Sequence, residues 1–303
     1  MVHGRLHDDE LDVTDDLVRS LVAAQFPRWS ELSLRRIPSI GTANAIYRLG
    51  EELAVRLPLR PGAAQQIEHE RHWLPRLARQ LPLPIPVTLE VGTPTHDYPS
   101  VWTVARWLDG SDAYSEPFAN PAQAAEQLAA FIRALHAIDS TGGPTPGAHN
   151  SMRGDHLAER DARTRTRIAE VDGIAPHFDA ARLTTIWDRA VSAVPWSEPP
   201  RWLHGDLLPA NLLVRDGQLA GVLDFGCLAV GDPACDLQPV WSVFDGDARE
   251  AFRAAVGLDD DAWQRGRGWS LWQAIAAYPY YRDTNPALAG IAARTIAELV
   301  ASD

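Results

Sequence analysis

Lysine is missing from this sequence. All 28 basic residues are arginine, so any grip on a phosphate that a lysine would supply falls to a planar, forked guanidinium, which is not interchangeable with an ammonium. Cysteine is scarce: Cys227 and Cys235 are the only two. That is too few for a disulfide framework and fits a reducing compartment or indifference to redox state. No apolar run reaches the roughly 18–20 residues that a membrane-spanning helix needs. Met1 to Asp16 carries several acids and no apolar stretch, which excludes a secretory signal, and a cytoplasmic protein is expected. Positive charge is also in deficit, with 28 basic against 40 acidic residues and a net charge of −12. Nucleic acids and anionic membranes call for clustered positive charge and are excluded as partners. A cationic small molecule fits the balance, as does plain solubility. There is no fixed-period repeat and no low-complexity tract.

What is present is ordinary globular sequence, 46% hydrophobic and 22% charged, long enough for one two-lobed domain or two small ones. Thr14 to Phe26 reads as a helix capped by Thr14, with Leu17, Val18, Leu21 and Val22 on one face. Short strand-like runs follow at Leu32–Ile37, Ala45–Leu49 and Leu53–Leu57. Ala63 to Gln80 reads as a helix, ended by Pro82, Pro84 and Pro86, and Val101 to Trp107 as a further strand. Then the character changes. Asn120-Pro121 opens a helix to about Asp139, with Ala124, Leu128, Phe131, Ile132 and Leu135 in one stripe. Helices are expected at Asp155–Val171 and Asp179–Val194, and short strands at Leu212–Val214 and Ala220–Leu223. More helices are expected at Pro233–Phe244, Ala248–Val256, Asp260–Tyr278 and Pro286–Val300. Strands early and helices late make an α+β pattern, with the lobe boundary at Trp107 to Ser111.

The sharpest signal is His204-Gly205-Asp206-Leu207-Leu208-Pro209-Ala210-Asn211, followed by Asp224-Phe225-Gly226. His-x-Asp, an Asn five residues after the Asp, and then Asp-Phe-Gly is the catalytic-loop and metal-loop pattern of the protein-kinase fold. Each position has work in phosphoryl transfer. Asp206 orients an acceptor hydroxyl and takes its proton. Asn211 offers a neutral oxygen and Asp224 a charged one, the hard ligands magnesium takes. His204 braces the loop. Asp-Phe-Gly alone is no more than a turn; the joint spacing between two strands carries the reading. In Gly231-Asp232-Pro233-Ala234-Cys235-Asp236-Leu237, Asp232 can cap a helix opened by Pro233, and Asp236 can accept backbone N–H groups of the loop. Both read as architectural.

The first third must then hold the nucleotide. Gly41, Thr42 and Asn44 lie in a turn between two strands, where backbone can approach phosphate; a plain hairpin is the alternative. Arg56 falls on the strand face opposite Val55 and Leu57. Glu70 is its expected ion-pair partner, with Glu68 as the rival on another helix face.

Together these residues resemble the aminoglycoside phosphotransferases and their relatives, small-molecule kinases with a protein-kinase-like fold. The resemblance rests on His-Gly-Asp-Leu-Leu-Pro-Ala-Asn, Val-Leu-Asp-Phe-Gly and Gly-Asp-Pro-Ala-Cys-Asp-Leu, and runs from about Ile40 to Leu237. This family has His-Gly-Asp where protein kinases have His-Arg-Asp, and this chain has Gly205. The resemblance implies a bilobal fold. A small antiparallel β-rich lobe, residues 1–107, would bind nucleotide; a larger, mainly helical lobe, residues 108–303, would carry the catalytic loop and substrate cleft. It implies Asp206 as base, Asn211 and Asp224 as Mg2+ ligands, and Arg56 paired with Glu70 beside ATP or GTP. The backbone from Arg106 to Leu108 would meet the base edge, with Leu213 and Leu223 beneath the base. Arg56 is a departure, since many members have lysine there, and it leaves ATP against GTP open.

The implied acceptor is a hydroxyl of an aminoglycoside or related antibiotic. Asp155, Glu159 and Asp283 are candidates to meet its positive charges, although each also reads as a solvated surface acid. Trp263, Trp269, Trp272, Tyr278, Tyr280 and Tyr281 should mostly be core, with one or two lining a substrate cleft. The same catalytic residues would serve a macrolide, a sugar, or a choline-like or homoserine-like metabolite. A nucleotide-binding module without turnover is a third reading, motivated by Arg56. A zinc hydrolase built on His204 is a fourth; it lacks paired histidines of the usual spacing.

Overall fold

The computed structural model describes residues 10–60, 64–175 and 177–302. The acidic segment through residue 9 and the expected helix start at Ala63 lie outside the described residues. The chain divides into two units, one running up to Arg79 and again over Pro84–Asp109, the other formed by Gln80–Leu83 and everything from Gly110 onward.

In the first unit, α1 (Asp15–Gln25) starts where the Thr14 hydroxyl accepts the Leu17 N–H, and it buries Val18, Leu21 and Val22. Alternation then makes strands. β1 (Leu34–Ile37), β2 (Asn44–Leu49) and β3 (Leu53–Pro58) are followed by α2 (Ala64–Leu77), β4 (Thr88–Gly92) and β5 (Trp102–Arg106). The five strands form one antiparallel sheet in the order β1-β2-β3-β5-β4. Ala45, Tyr47 and Leu49 of β2 and Leu53, Val55 and Leu57 of β3 point into one core with Trp102 and Val104, the face that period-two burial selects. β4 follows the three prolines and is a strand beyond those expected from the sequence. It pairs with β5 through a register shift between Thr88 and Glu90.

The second unit is mostly helical. β6 (Ser111–Asp112) precedes α3 (Pro121–Ala137), capped by the Asn120 side chain and burying all five residues of the expected stripe. α4 (Asp161–Ile174) and α5 (Ala180–Ser192) follow. Then come β7 (Arg201–Leu203), β8 (Leu212–Arg215), β9 (Gln218–Val222) and β10 (Ala229–Gly231), in two small antiparallel sheets ordered β6-β8-β9 and β10-β7. α6 (Pro239–Ser242), α7 (Gly246–Val256), α8 (Asp260–Tyr281) and α9 (Pro286–Ala301) complete the chain.

Two expected helices are corrected. The one drawn from Asp155 begins as a 3-10 turn at Leu157–Arg160, and α4 starts only at Asp161. The one drawn over Pro233–Phe244 is a 3-10 turn, Pro233–Leu237, followed by the separate α6. Pro239 has no N–H to continue a hydrogen-bonded ladder, so the chain restarts there. No helix among the described residues is long and apolar enough to cross a membrane.

Candidate active site

The loop after β7 is held from below by a buried carboxylate. Asp236 is fully buried. Its Oδ2 accepts the His204 backbone N–H at 3.0 Å and its Oδ1 accepts that of Gly205 at 2.8 Å. His136 of α3 places Nε2 3.3 Å from Oδ2, and Gln238 Nε2 donates to the Gly205 carbonyl at 3.1 Å. Gly205 has φ +79°, and a Cβ there would lie 3.0 Å from the Cys227 carbonyl oxygen. Left-handed backbone is costly for residues with a Cβ. Gly205→Ala is therefore expected to lower stability by about 1–3 kcal/mol, checked by chemical denaturation; an unchanged midpoint would contradict this.

His204 is buried and joins two loops. Its Nε2 lies 2.8 Å from the Leu223 carbonyl oxygen. A carbonyl only accepts, so Nε2 carries the proton, and Nδ1 accepts the Asp206 N–H at 3.2 Å. The ring packs on Phe225, with 4.5 Å between centroids. A second tie runs from the Leu223 N–H to the Asn211 carbonyl at 2.8 Å.

On this frame, Asn211 Nδ2 donates to the Asp206 carbonyl at 2.8 Å and approaches Asp206 Oδ2 at 3.4 Å. That fixes the amide nitrogen towards Asp206 and turns the amide oxygen away. Asp224 follows directly on β9 and Leu223, with φ +59°, an unusual conformation for a residue with a Cβ and a common mark of functional sites. Its Oδ1 accepts the Gly226 N–H at 3.2 Å. An amide oxygen and a carboxylate on neighbouring loops are the hard, oxygen-only donor chemistry that magnesium takes. Among the described residues, no group of three or more His, Cys, Asp or Glu side chains lies together to hold a metal, so the zinc reading has no ligand set.

Two residues that meet Asp206 had no sequence signal. Gln273 of α8 donates from Nε2 to Asp206 Oδ1 at 2.6 Å, and an Arg153 guanidinium nitrogen lies 3.5 Å from the same oxygen. Burial opposes the Arg153 charge, but Cys227, Asp206, Cys235 and Asp224 more than offset it and raise its pKa. These partners lie 67 and 53 residues from Asp206, beyond the reach of any local pattern.

The other candidates fall as follows. Asp232 caps the Pro233 turn through the Ala234 N–H and receives Arg265 at 2.7 and 3.2 Å. In the first unit, Arg56 projects from β3 to Glu70 of α2, nitrogen to oxygen 2.6 Å, with Glu70 buried; Glu68 instead pairs with Arg71. Gly41 donates its N–H to the Ser39 hydroxyl in the β1–β2 turn, Thr42 is half-buried, and Asn44 opens β2. Arg106 ends β5 exposed and Leu108 is half-buried. In the second unit, Leu213 is buried in β8 and Leu223 half-buried. Asp155 is half-buried, Glu159 exposed, and Asp283 exposed beside Arg282 at 2.9 Å. Trp263 and Trp269 are buried, whereas Trp272 is half-buried.

The model of the phosphotransferase enzyme family matches residues 34–269. The chain belongs to this family. It is 26% identical to an aminoglycoside 3'-phosphotransferase of Escherichia coli, over 67% of this chain and 75% of that protein. Among solved structures, it resembles wild-type aminoglycoside 2'-phosphotransferase-IIIa in its GDP complex, with TM-score 0.72, 19% identity, and 96% and 99% of the two chains covered. It also resembles the macrolide 2'-phosphotransferase apoenzyme of Brachybacterium faecium, with TM-score 0.59, 23% identity, and 91% and 97% covered. The fold is thus that of the kinase-like phosphotransferases, a small antiparallel sheet unit and a larger helical one, and the protein is a phosphotransferase.

Proposed function

We propose that this protein transfers the γ-phosphoryl group of ATP or GTP to a hydroxyl of an aminoglycoside or related antibiotic, and so confers resistance. The observation that carries the reading is the Asp206–Asn211–Asp224 arrangement. A carboxylate is held in place by its neighbours, an amide turns its nitrogen to that residue and its oxygen away from it, and a second carboxylate sits on the strand-end loop joined to the first by His204. In this proposal Asp206 orients the acceptor hydroxyl and takes its proton as the phosphoryl group departs. Asn211 and Asp224 would hold magnesium, which when bound neutralises charge on the nucleotide phosphates.

The nucleotide roles proposed for the first unit rest on Arg56, held by Glu70, with Gly41, Thr42 and Asn44 near phosphate and Arg106 to Leu108 at the base edge. In the second unit, Leu213 and Leu223 would lie against the base. The relative crystallised with GDP supports counting GTP beside ATP. A cytoplasmic location belongs to the same proposal, since the nucleotide is there. For the acceptor, the net charge of −12 and the accessible Asp155, Glu159 and Asp283 favour a polycation. The half-buried Trp272, next to Gln273 on α8, favours a macrolide as second reading.

A coupled assay with ATP and GTP across aminoglycosides and macrolides tests this, with mass spectrometry of the product. Acceptor-stimulated diphosphate release with one phosphate gained by the antibiotic is expected; no stimulation by any acceptor would remove the antibiotic claim. Arg56→Met should raise nucleotide KM by about 10–100-fold, the equivalent of about 1.5–3 kcal/mol for a charge-assisted hydrogen bond. Arg56→Lys, which keeps the charge, should lose much less. Equal KM values for the two variants would argue against a phosphate contact.

A further inference from the structure

The catalytic loop carries no cation of its own: between Asp206 and Asn211 stand Leu207, Leu208, Pro209 and Ala210. Both groups that reach Asp206 Oδ1 come from elsewhere in the second unit. Gln273 lies one helical turn beyond Trp269 on α8, and its Nε2 is 2.6 Å from Oδ1. The carboxylate accepts only, so the amide nitrogen must face it. The Arg153 guanidinium, 3.5 Å from the same oxygen, lies over the Trp272 ring at 5.6 Å. It also donates to the Asn150 carbonyl at 3.1 Å.

The segment that delivers Arg153 is unusual. Ser151 and Met152 are consecutive non-glycine residues with φ of 54° and 61°, and Gly154 has φ 86°. Fully buried Asn150 staples this turn. Its Oδ1 accepts the Gly147 N–H at 3.0 Å, and its Nδ2 donates to the Arg153 carbonyl at 2.9 Å. Left-handed non-glycine backbone is disfavoured and persists where the surroundings over-determine it. Here the over-determined turn places one guanidinium against one carboxylate.

We infer that Gln273 and Arg153 are positioning residues that fix the Asp206 carboxylate rotamer, Oδ1 being gripped by these two side chains so that Oδ2 is presented to the acceptor hydroxyl. The inference rests on the phosphoryl-transfer reading above. The short bond is that of Gln273 at 2.6 Å, Arg153 adds a charge at 3.5 Å, and the neutral Asn211 amide reaches Oδ2 only at 3.4 Å. A carboxylate on a short side chain swings about χ1 and χ2 unless its other oxygen is tied, and misplacing a reacting group by about 1 Å can cost about 10²-fold in rate.

Gln273→Leu, similar in size but without the donor, should lower kcat about 10–100-fold with nucleotide KM and melting temperature near wild type. Arg153→Met should do the same, and Arg153→Lys should recover part of the loss because it keeps the charge. Unchanged kcat in Gln273→Leu and Arg153→Met would overturn the inference. So would a joint collapse of kcat, KM and melting temperature, which marks a merely structural role. A second measurement needs no acceptor. In two-dimensional NMR, the Gln273 side-chain amide proton given to Asp206 should lie downfield and exchange slowly, and lose both properties in Asp206→Ala, which removes the acceptor. Identical Gln273 signals in the two proteins would overturn the inference. Failure of wild-type protein to phosphorylate any acceptor would count against the proposed function, while the NMR comparison would still decide this contact.

Discussion

Asp206→Asn is expected to lower kcat by about 10²–10⁴-fold, the range that general acid–base groups contribute, with little change in nucleotide affinity or stability. The near-identical shape keeps the loop intact. The asparagine oxygen can still accept Gln273 Nε2, which lies 2.6 Å from Oδ1 in the native protein. That assignment puts the new NH2 group where Oδ2 stood, so a donor faces the donor of the acceptor hydroxyl. The proton then has no acceptor and the hydroxyl is turned away. Steady-state kinetics with nucleotide titration and a melting curve check this. If the variant retains more than about a tenth of wild-type kcat, Asp206 is not the base, because even the lower limit for such a group is about 10²-fold. The same variant addresses the reading of a binding module without turnover. Nucleotide binding with no turnover in wild type as well as in Asp206→Asn would favour that reading.

The loop itself was legible because its signals are local. His204 to Asn211 and Asp224 to Gly226 are short stretches whose spacing encodes geometry, and the structure ties them by backbone bonds such as Leu223 N–H to the Asn211 carbonyl. Periodicity made α1, β2, β3 and α3 readable for the same reason: Val18 and Leu21, or Tyr47 and Leu49, carry their burial in their spacing. The pairing of Arg56 with Glu70 came from the family resemblance; strand alternation set Arg56 opposite Val55 and Leu57 but left Glu68 as a rival, and the structure pairs Arg56 with Glu70 and Glu68 with Arg71. The illegible parts are those set by distant chain. β7 and β10 have three residues each and exist only because they pair across the catalytic loop. A run of three residues has no period to detect. β4 sits behind three prolines, which make the chain extended but do not say what it pairs with, and it is recruited by β5. Arg153 and Gln273 belong here too. Their contact with Asp206 depends on where α8 and the Asn150 turn pack, which no pattern near either residue encodes.

Asp236→Ala should be the most destabilising of the changes considered, by about 3–5 kcal/mol, the cost of breaking a buried charged network from one side. The carboxylate is fully buried and serves the His204 N–H, the Gly205 N–H and His136 Nε2. Alanine would strand two backbone donors where water cannot easily replace the acceptor, and each orphan costs about 1–3 kcal/mol. Against a typical total of about 5–15 kcal/mol, a loss of this size lowers the melting temperature by on the order of 10 °C. Asp236→Asn separates two contributions. It keeps the volume and one acceptor but turns an NH2 group against one of the two N–H donors, so the loop must shift even if the core stays filled. Asp236→Asn should therefore cost less stability than Asp236→Ala yet still lose most of kcat, because Gly205 and Asp206 move together. Differential scanning calorimetry and kinetics on both variants read this out. If Asp236→Asn were fully active, the carboxylate would matter for folding alone, and the position of Asp206 would have to be set by His204 and by the side chains that grip it.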